Sequence, residues 1–227
     1  MRTPLTSILG YSKLLIDRPD VPAERRARWG RFILEKSRLL NRLVNDVLDL
    51  SRLNMGRFEL QFKAVRLDAL IRRVADEFSL ATDRHQIVVE VAGSPASIQA
   101  DEDRLEQVLA NLLSKAIKYS PAGGLVQIRL KEVGNCLQLR VSDHGVGIAP
   151  EHFDRILEPF YRVDNSTARS IYGSGLGLAV SRGIVEAHGG TLTVESTLGE
   201  GSSFFITIPR QTGGEGELRL LIDSRLE

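Results

Sequence analysis

The chain is poor in the residues that several common chemistries require. A single cysteine among 227 residues, Cys136, excludes an internal disulfide and a thiolate metal cluster. Its apolar neighbours Leu137 and Leu139 mark it as a strand position belonging to the core. Neither charge predominates, with 30 Lys and Arg against 29 Asp and Glu, so there is no basic surplus to draw in nucleic acid or an anionic membrane. No run of eighteen apolar residues occurs, and the first residues lack the charged-then-apolar layout of a signal peptide. The expectation is a cytoplasmic segment without direct membrane contact, compatible with a parent protein anchored elsewhere. What remains, 42% hydrophobic and 26% charged residues, is the composition of a globular protein with one medium core or two smaller ones.

Apolar residues recur at helical spacing over 5 to 17 and about 22 to 53. The two runs are separated by Asp17 to Pro22, whose prolines stop a helix. This predicts a helical hairpin. In its second helix Ile33, Leu40 and Val47 lie seven apart, as do Leu43 and Leu50, which makes a narrow seam of the kind that pairs helices in bundles. Two hairpins closing as a four-helix homodimer would bury it, and packing onto the rest of the same chain is the alternative. The helical pattern stops at Leu53 to Gly56, and Phe58 to Phe62 alternates like a strand. The expected order downstream is helix 67 to 82, strand 86 to 92, a short strand and helix 102 to 118, followed by strands 125 to 132 and 136 to 143. Helix 175 to 188 and strands 191 to 196 and 202 to 209 complete it. Helices and strands without strict alternation predict a mixed sheet under one helical layer.

Three short stretches in this second part suit a nucleotide. Asp143 ends an alternating strand, and Gly145 and Gly147, with Ile148 after them, let the backbone approach a flat ligand whose exocyclic amine the carboxylate can accept. A tight turn with a capping aspartate reads equally well for this hexapeptide alone. Gly173, Ser174, Gly175, Leu176, Gly177 and Leu178 run into an apolar helix, so backbone amides and a helix N-terminus can face phosphate oxygens. The polar stretch Arg162 to Tyr172 before them reads as a mobile flap. Its Arg162 and Arg169 either reach a terminal phosphate or remain solvated surface charge. On helix 102 to 118, Asn111, Lys115 and Lys118 share a face beside the buried stripe Leu105, Val108, Leu109 and Leu112. Lys118 followed by Tyr119 offers a charge for phosphate and a ring for a base.

Taken together and in order, these residues resemble the sensor histidine kinases of two-component signalling. Arg2 to Leu5 resembles the end of the family's H-box, Leu43 to Arg52 its second bundle helix, and Asp101 to Pro121 its N-box. Asp143 to Ile148 resembles the first glycine box, Leu157 to Arg162 the F-box, Gly173 to Leu178 the second glycine box, and Gly199 to Phe204 the closing strand. The resemblance implies an α/β (α+β) chain: a dimerisation hairpin over 1–54, a mixed-sheet ATP-binding domain of the GHKL type over 57–210, and a flexible tail over 211–227. It implies ATP with Mg²⁺, a homodimer through residues 1–54, and the receiver domain of a response regulator as partner. By the same resemblance Asp143 binds the adenine amine, Tyr119 lies against the base, Lys118 touches phosphate, Asn111 helps coordinate Mg²⁺, and residues 173 to 177 hinge a lid. Gyrase-type relatives carry a glutamate where Asn111 stands. An amide cannot act as a general base, so transfer to a protein acceptor is favoured over hydrolysis.

The sequence departs from the family pattern in two places. The phospho-accepting histidine would stand before Met1, and none of His85, His144, His152 and His188 takes its place. Lys115 occupies the position of the family's metal-binding asparagine, and an ammonium cannot ligate a cation. Pointing inward, Lys115 repels Mg²⁺ or replaces it as the phosphates' counter-charge; pointing outward, it leaves Asn111 and water with a weakened metal site. Thr3 matches the residue that helps water dephosphorylate the regulator in related kinases, and a helix N-cap ahead of Pro4 explains it as well.

Overall fold

The computed structural model describes residues 2–93, 97–163 and 174–210, with side chains from Pro4 onward. The side chain of Thr3, together with Arg169, Gly173 and the tail 211–227, lies outside the described residues. The chain divides into two compact units, Met1–Arg57 and Phe58–Glu227.

The first unit is a pair of helices, α1 (Arg2–Asp17) and α2 (Ala23–Asn54). Pro4 sits in the first turn of α1, where no backbone donor is needed, so the helix begins earlier than its apolar pattern. Pro22 precedes α2, and its carbonyl accepts the amides of Arg25 and Arg26. The helix stops where Gly56 takes φ +64°, the left-handed conformation that favours glycine after a C-terminus. Tyr11 and Phe32 stack across the pair with centroids 5.2 Å apart. Of the seam only Leu43 is buried, while Ile33, Leu40, Val47 and Leu50 are half-buried. Leu5, Leu9, Leu34, Val44 and Leu48 remain exposed.

The second unit contains a two-stranded sheet, β1 (Lys63–Arg66) with β3 (Ser97–Ala100), and a five-stranded sheet. The larger sheet runs β2 (His85–Val91), β4 (Gly124–Val133), β5 (Cys136–Asp143), β7 (Gly201–Pro209), β6 (Thr191–Thr197). Only β2 and β4 are parallel. The parallel pair needs a crossover connection, and α4 (Glu102–Lys118) lies within it. With α3 (Leu67–Leu80) and α5 (Gly177–Ala187), α4 forms one helical layer, as the mixed order of elements predicts. Alternation drives the packing. Ile128, Val141 and Phe204 sit side by side across three strands, as do Leu130, Leu139 and Ile206, and all six are buried. Each such side chain is worth about 1.5–3 kcal/mol on leaving water.

Three sequence expectations change. Phe58 to Phe62 is not a strand, and the strand lies at β1 instead. The alternation there serves side-chain docking: Arg104 covers the Phe58 ring at 4.9 Å, and the Phe62 ring meets His188 edge-on at 5.6 Å. Cys136 is half-buried rather than core, because the strand's alternation gives the inner face to Leu137. Helix α5 starts at Gly177 rather than 175, since Gly175 holds φ +73°, outside any right-handed helix.

His188, fully buried after the end of α5, ties this layer together. Its Nδ1 is 2.8 Å from the Ile184 carbonyl and its Nε2 accepts the Asp101 amide at 3.0 Å, so the proton is fixed on Nδ1. Asp101 in turn caps α4 by accepting the Arg104 amide at 3.2 Å, and it holds the Gln61 amide at 2.9 Å. Burial lowers the pKa of His188 below its ordinary 6.5. The unfolded chain therefore binds the proton first, and the stability contributed by neutral His188 is intact above pH 6.5 and lost as pH falls toward the folded value. We expect the urea midpoint of the whole chain, followed by circular dichroism, to drop between pH 7 and pH 5. The loss reaches at most about 1.4 kcal/mol per pH unit from this group, and His188→Gln removes that part of the slope.

Candidate functional site

The site gathers where β5 ends beside the C-terminus of α4. Strand alternation carries Asp143 to the edge of the core, 8% exposed and opposite Ser202 on β7. Its Oδ1 accepts the Gly145 amide at 2.8 Å and faces the Ser120 hydroxyl at 3.5 Å. Burial raises the Asp143 pKa above its ordinary 3.8, partly offset by hydrogen bonds from the Gly145 and Ser202 backbone and from Ser120.

The glycines leave no space for side chains. A Cβ at Gly145 would fall on the Tyr119 carbonyl and 2.8 Å from both Asp143 Oδ1 and Ser120 Oγ; one at Gly147, φ +67°, would fall on the Thr197 carbonyl. The Val146 amide donates to the Tyr119 carbonyl at 3.0 Å, and the Ile148 amide donates to Ser196 Oγ at 2.8 Å. The loop after β5 is thus fastened both to the end of α4 and to the β6–β7 turn.

Along α4, Asn111 donates from its amide nitrogen to Ser181 Oγ on α5 at 2.8 Å. A Cβ at Gly177 would fall on Asn111 Oδ1, so the first residue of α5 is pressed against this amide. The ammonium groups of Lys115 and Lys118 each lie 5.9 Å from the centre of the Tyr119 ring. Burial raises the Tyr119 pKa, and the charge of Arg162 opposes the rise. Arg162 itself is exposed. Leu176 and Leu178 are buried around the α5 start, and the Leu176 amide donates to Ser174 Oγ at 3.2 Å. The Gly175 carbonyl accepts the amide of Phe160, which holds φ +66°, a strained conformation for a non-glycine residue.

Among the described residues no group of three His, Cys, Asp or Glu can hold a metal. The site offers one neutral amide oxygen, Asn111 Oδ1, packed against the first residue of α5. That is a fitting share for Mg²⁺, which prefers oxygen ligands and takes most of them from phosphates and water.

The predicted residues fall into two groups joined by α4. Asp143 and Gly145 collect around Tyr119 and Ser120, with Gly147 and Ile148 turned beside them to Thr197 and Ser196, whereas Gly177 packs on Asn111. The span from Asn111 to Tyr119 is eight residues, about 12 Å of helix. Lys115 and Lys118 lie between. Ser120, Ser181, Ser196 and Ser202 also take part, and sequence reasoning passed over them. Serines are common at turns and helix surfaces, and only Ser120, next to Tyr119, carried a positional signal.

Residues 100–212 match the histidine kinase-, DNA gyrase B- and HSP90-like ATPase family, and residues 1–56 match the His Kinase A (phospho-acceptor) domain. This chain belongs to the histidine kinases. It is 34% identical over 223 residues to an uncharacterized sensor-like histidine kinase of Rhizobium meliloti, covering 96% of this chain and 42% of that one. The solved structure of full-length ShkA in complex with AMPPNP is similar with a TM-score of 0.73 and 34% identity, over 94% of this chain and 44% of ShkA. The histidine kinase ThkA in complex with the response regulator protein TrrA is similar with a TM-score of 0.68 and 26% identity, over 92% of this chain and 58% of the other. The kinase chain therefore spans less than half the length of the Rhizobium relative and of ShkA. Among the described residues no helix is long and apolar enough to cross a membrane.

Proposed function

We propose that this histidine kinase chain binds ATP along α4, base toward Asp143 and phosphates toward Gly177, and serves transfer of the γ-phosphoryl group to a histidine and onward to a response regulator. The observation that carries the reading is the meeting of two glycine-bearing segments on one helix, at Tyr119 and at Asn111, about 12 Å apart, a separation on the scale of an extended nucleotide. The AMPPNP complex of ShkA and the regulator complex of ThkA support the same ligand and partner classes here.

In this reading the Asp143 carboxylate accepts the exocyclic amine of adenine, and Gly145 keeps the pocket wall flat. The Tyr119 ring lies against the base. Lys118 and Arg162 supply positive charge, and the amides opening α5 face phosphate oxygens at the positive end of the helix dipole. When bound, Mg²⁺ offsets negative charge on the phosphates as the terminal group leaves. Asn111 Oδ1 would hold it, oriented by the bond from the amide nitrogen to Ser181. Lys115, one turn further along, carries its ammonium near the Tyr119 ring, and swung toward the phosphates it would compete with the metal for them. Thr3, on the hairpin helix, matches by resemblance the residue that helps water dephosphorylate the regulator, with a local role at the start of the helix as the alternative. The hairpin's exposed leucines and half-buried seam favour a homodimer through residues 1–54, because a second copy would cover them.

A second reading rests on Lys115: a nucleotide-binding module that docks regulators with its own phosphoryl transfer impaired. Helix α1 carries no histidine, so the test supplies the acceptor in trans. The chain is incubated with γ-labelled ATP, Mg²⁺ and a histidine-bearing hairpin. We expect slow, acid-labile labelling of the hairpin that accelerates at least tenfold in Lys115→Asn. Silence from both chains with ATP bound excludes the kinase reading and leaves the module.

A further inference from the structure

We infer that His85, which lies in none of the nucleotide-binding motifs, positions the base end of the site by holding the turn Ser120–Gly123 against Asp143. The inference deepens the proposed ATP site and rests on it.

His85 opens β2, paired in parallel with Gly124 of β4. Its Nε2 is 2.9 Å from the Ser120 carbonyl, and its Nδ1 is 2.9 Å from Thr82 Oγ1. A carbonyl can only accept, so Nε2 carries the proton and Nδ1 accepts the Thr82 hydroxyl. Thr82 Oγ1 is itself placed by the Arg84 amide at 3.4 Å. Both ring nitrogens are engaged, which fixes the ring plane and not merely its distance.

The turn is clamped on the same side by its backbone. The Ser120 carbonyl also accepts the Gly123 amide at 2.9 Å, and the Gly124 amide donates to the Arg84 carbonyl at 3.0 Å. A Cβ at Gly123, φ +83°, would fall on that same Arg84 carbonyl. The segment 84–85 therefore holds the turn through both a side chain and a carbonyl.

On the far side of the turn stands the base pocket. Ser120, 3% exposed, aims its hydroxyl at Asp143 Oδ1 across 3.5 Å, the long limit of a hydrogen bond, where a shift of a few tenths of an ångström decides whether the bond exists. Ser120 Oγ, the Tyr119 carbonyl and Asp143 Oδ1 together wall the space over Gly145. Without the imidazole the Ser120 carbonyl keeps one donor of two, and the turn relaxes away from the carboxylate. Asp143 then loses its hydroxyl partner and its fixed distance to an adenine amine. Guanine, which presents a carbonyl at the corresponding position, is rejected less strongly.

The experiment measures ATP and GTP binding to the whole chain by calorimetry for the unaltered protein and for His85→Ala, His85→Gln and Thr82→Val, with melting temperature recorded beside each. We expect His85→Ala to weaken ATP binding five- to twentyfold and to narrow the ATP-over-GTP preference at least threefold. His85→Gln, whose amide nitrogen can still donate to Ser120, returns ATP binding to within threefold. Thr82→Val, which frees the ring, moves both numbers in the direction of His85→Ala by less. A lowered melting temperature with unchanged nucleotide preference overturns the assignment of His85 and leaves the ATP site standing. Should His85→Ala fail to fold, an unchanged preference in Thr82→Val overturns it equally. If the unaltered chain binds neither nucleotide, the ATP site falls and this inference with it.

Discussion

Asp143→Asn is expected to weaken ATP binding by roughly 10- to 150-fold, the equivalent of the 1.5–3 kcal/mol carried by a hydrogen bond to a charged group. The amide presents a donor where the adenine amine also donates, so the loss includes a repulsive contact. Titration at several pH values sharpens the result. Burial holds the Asp143 pKa above 3.8, and only the carboxylate accepts fully from the amine. Affinity in the unaltered chain should therefore fall as pH is lowered through that raised value, while Asp143→Asn shows no such step. Stability runs the other way. A carboxyl whose folded pKa is raised binds protons more readily folded than unfolded, so its ionisation costs stability as pH rises through the window. Asp143→Asn removes that cost and should melt no lower than the unaltered chain, which separates lost binding from lost fold. Binding that survives unchanged would show that the base lies elsewhere.

The second large effect belongs to Lys115. An ammonium and a phosphate about 4 Å apart attract by up to about 4 kcal/mol at the effective dielectric of a protein surface, and less once water screens them. We expect the unaltered chain to bind ATP within threefold equally with and without Mg²⁺, since Lys115 supplies charge that the metal would otherwise bring. Lys115→Asn should bind ATP at least tenfold more weakly without Mg²⁺ and recover when it is added. Calorimetry with EDTA and with millimolar Mg²⁺ reads both numbers. A strong metal requirement in the unaltered chain would place the Lys115 ammonium away from the phosphates.

Much of this architecture was legible because it rests on periodicity. Strand β5 came out at its observed bounds, since Leu137, Leu139 and Val141 alternate without interruption. So did α4, whose stripe of Leu105, Val108, Leu109 and Leu112 is closed by Asp101 before it. Phe58 to Phe62 misled for a physical reason: an extended segment pinned by Arg104, Asp101 and His188 alternates as a strand does, although it joins no ladder. Gly175 showed the limit at the start of α5, where the apolar pattern runs on but the backbone turns left-handed. The glycine pairs were visible as pairs; that they close against Tyr119, Thr197 and Asn111 was not. Those contacts join positions far apart in the chain, and nothing in the spacing of Ser181 or His85 points to Asn111 or Ser120.

The corner around Asp143 is built from main chain pressed on main chain, with Gly145 against the Tyr119 carbonyl, Gly147 against Thr197 and Gly201 against the Asp143 carbonyl. Such a corner offers a protein engineer nothing to trim or enlarge by degrees, because even one added methyl meets another backbone. Retuning which base it accepts would have to come from the side where side chains still do the shaping, through Ser120 and whatever props it.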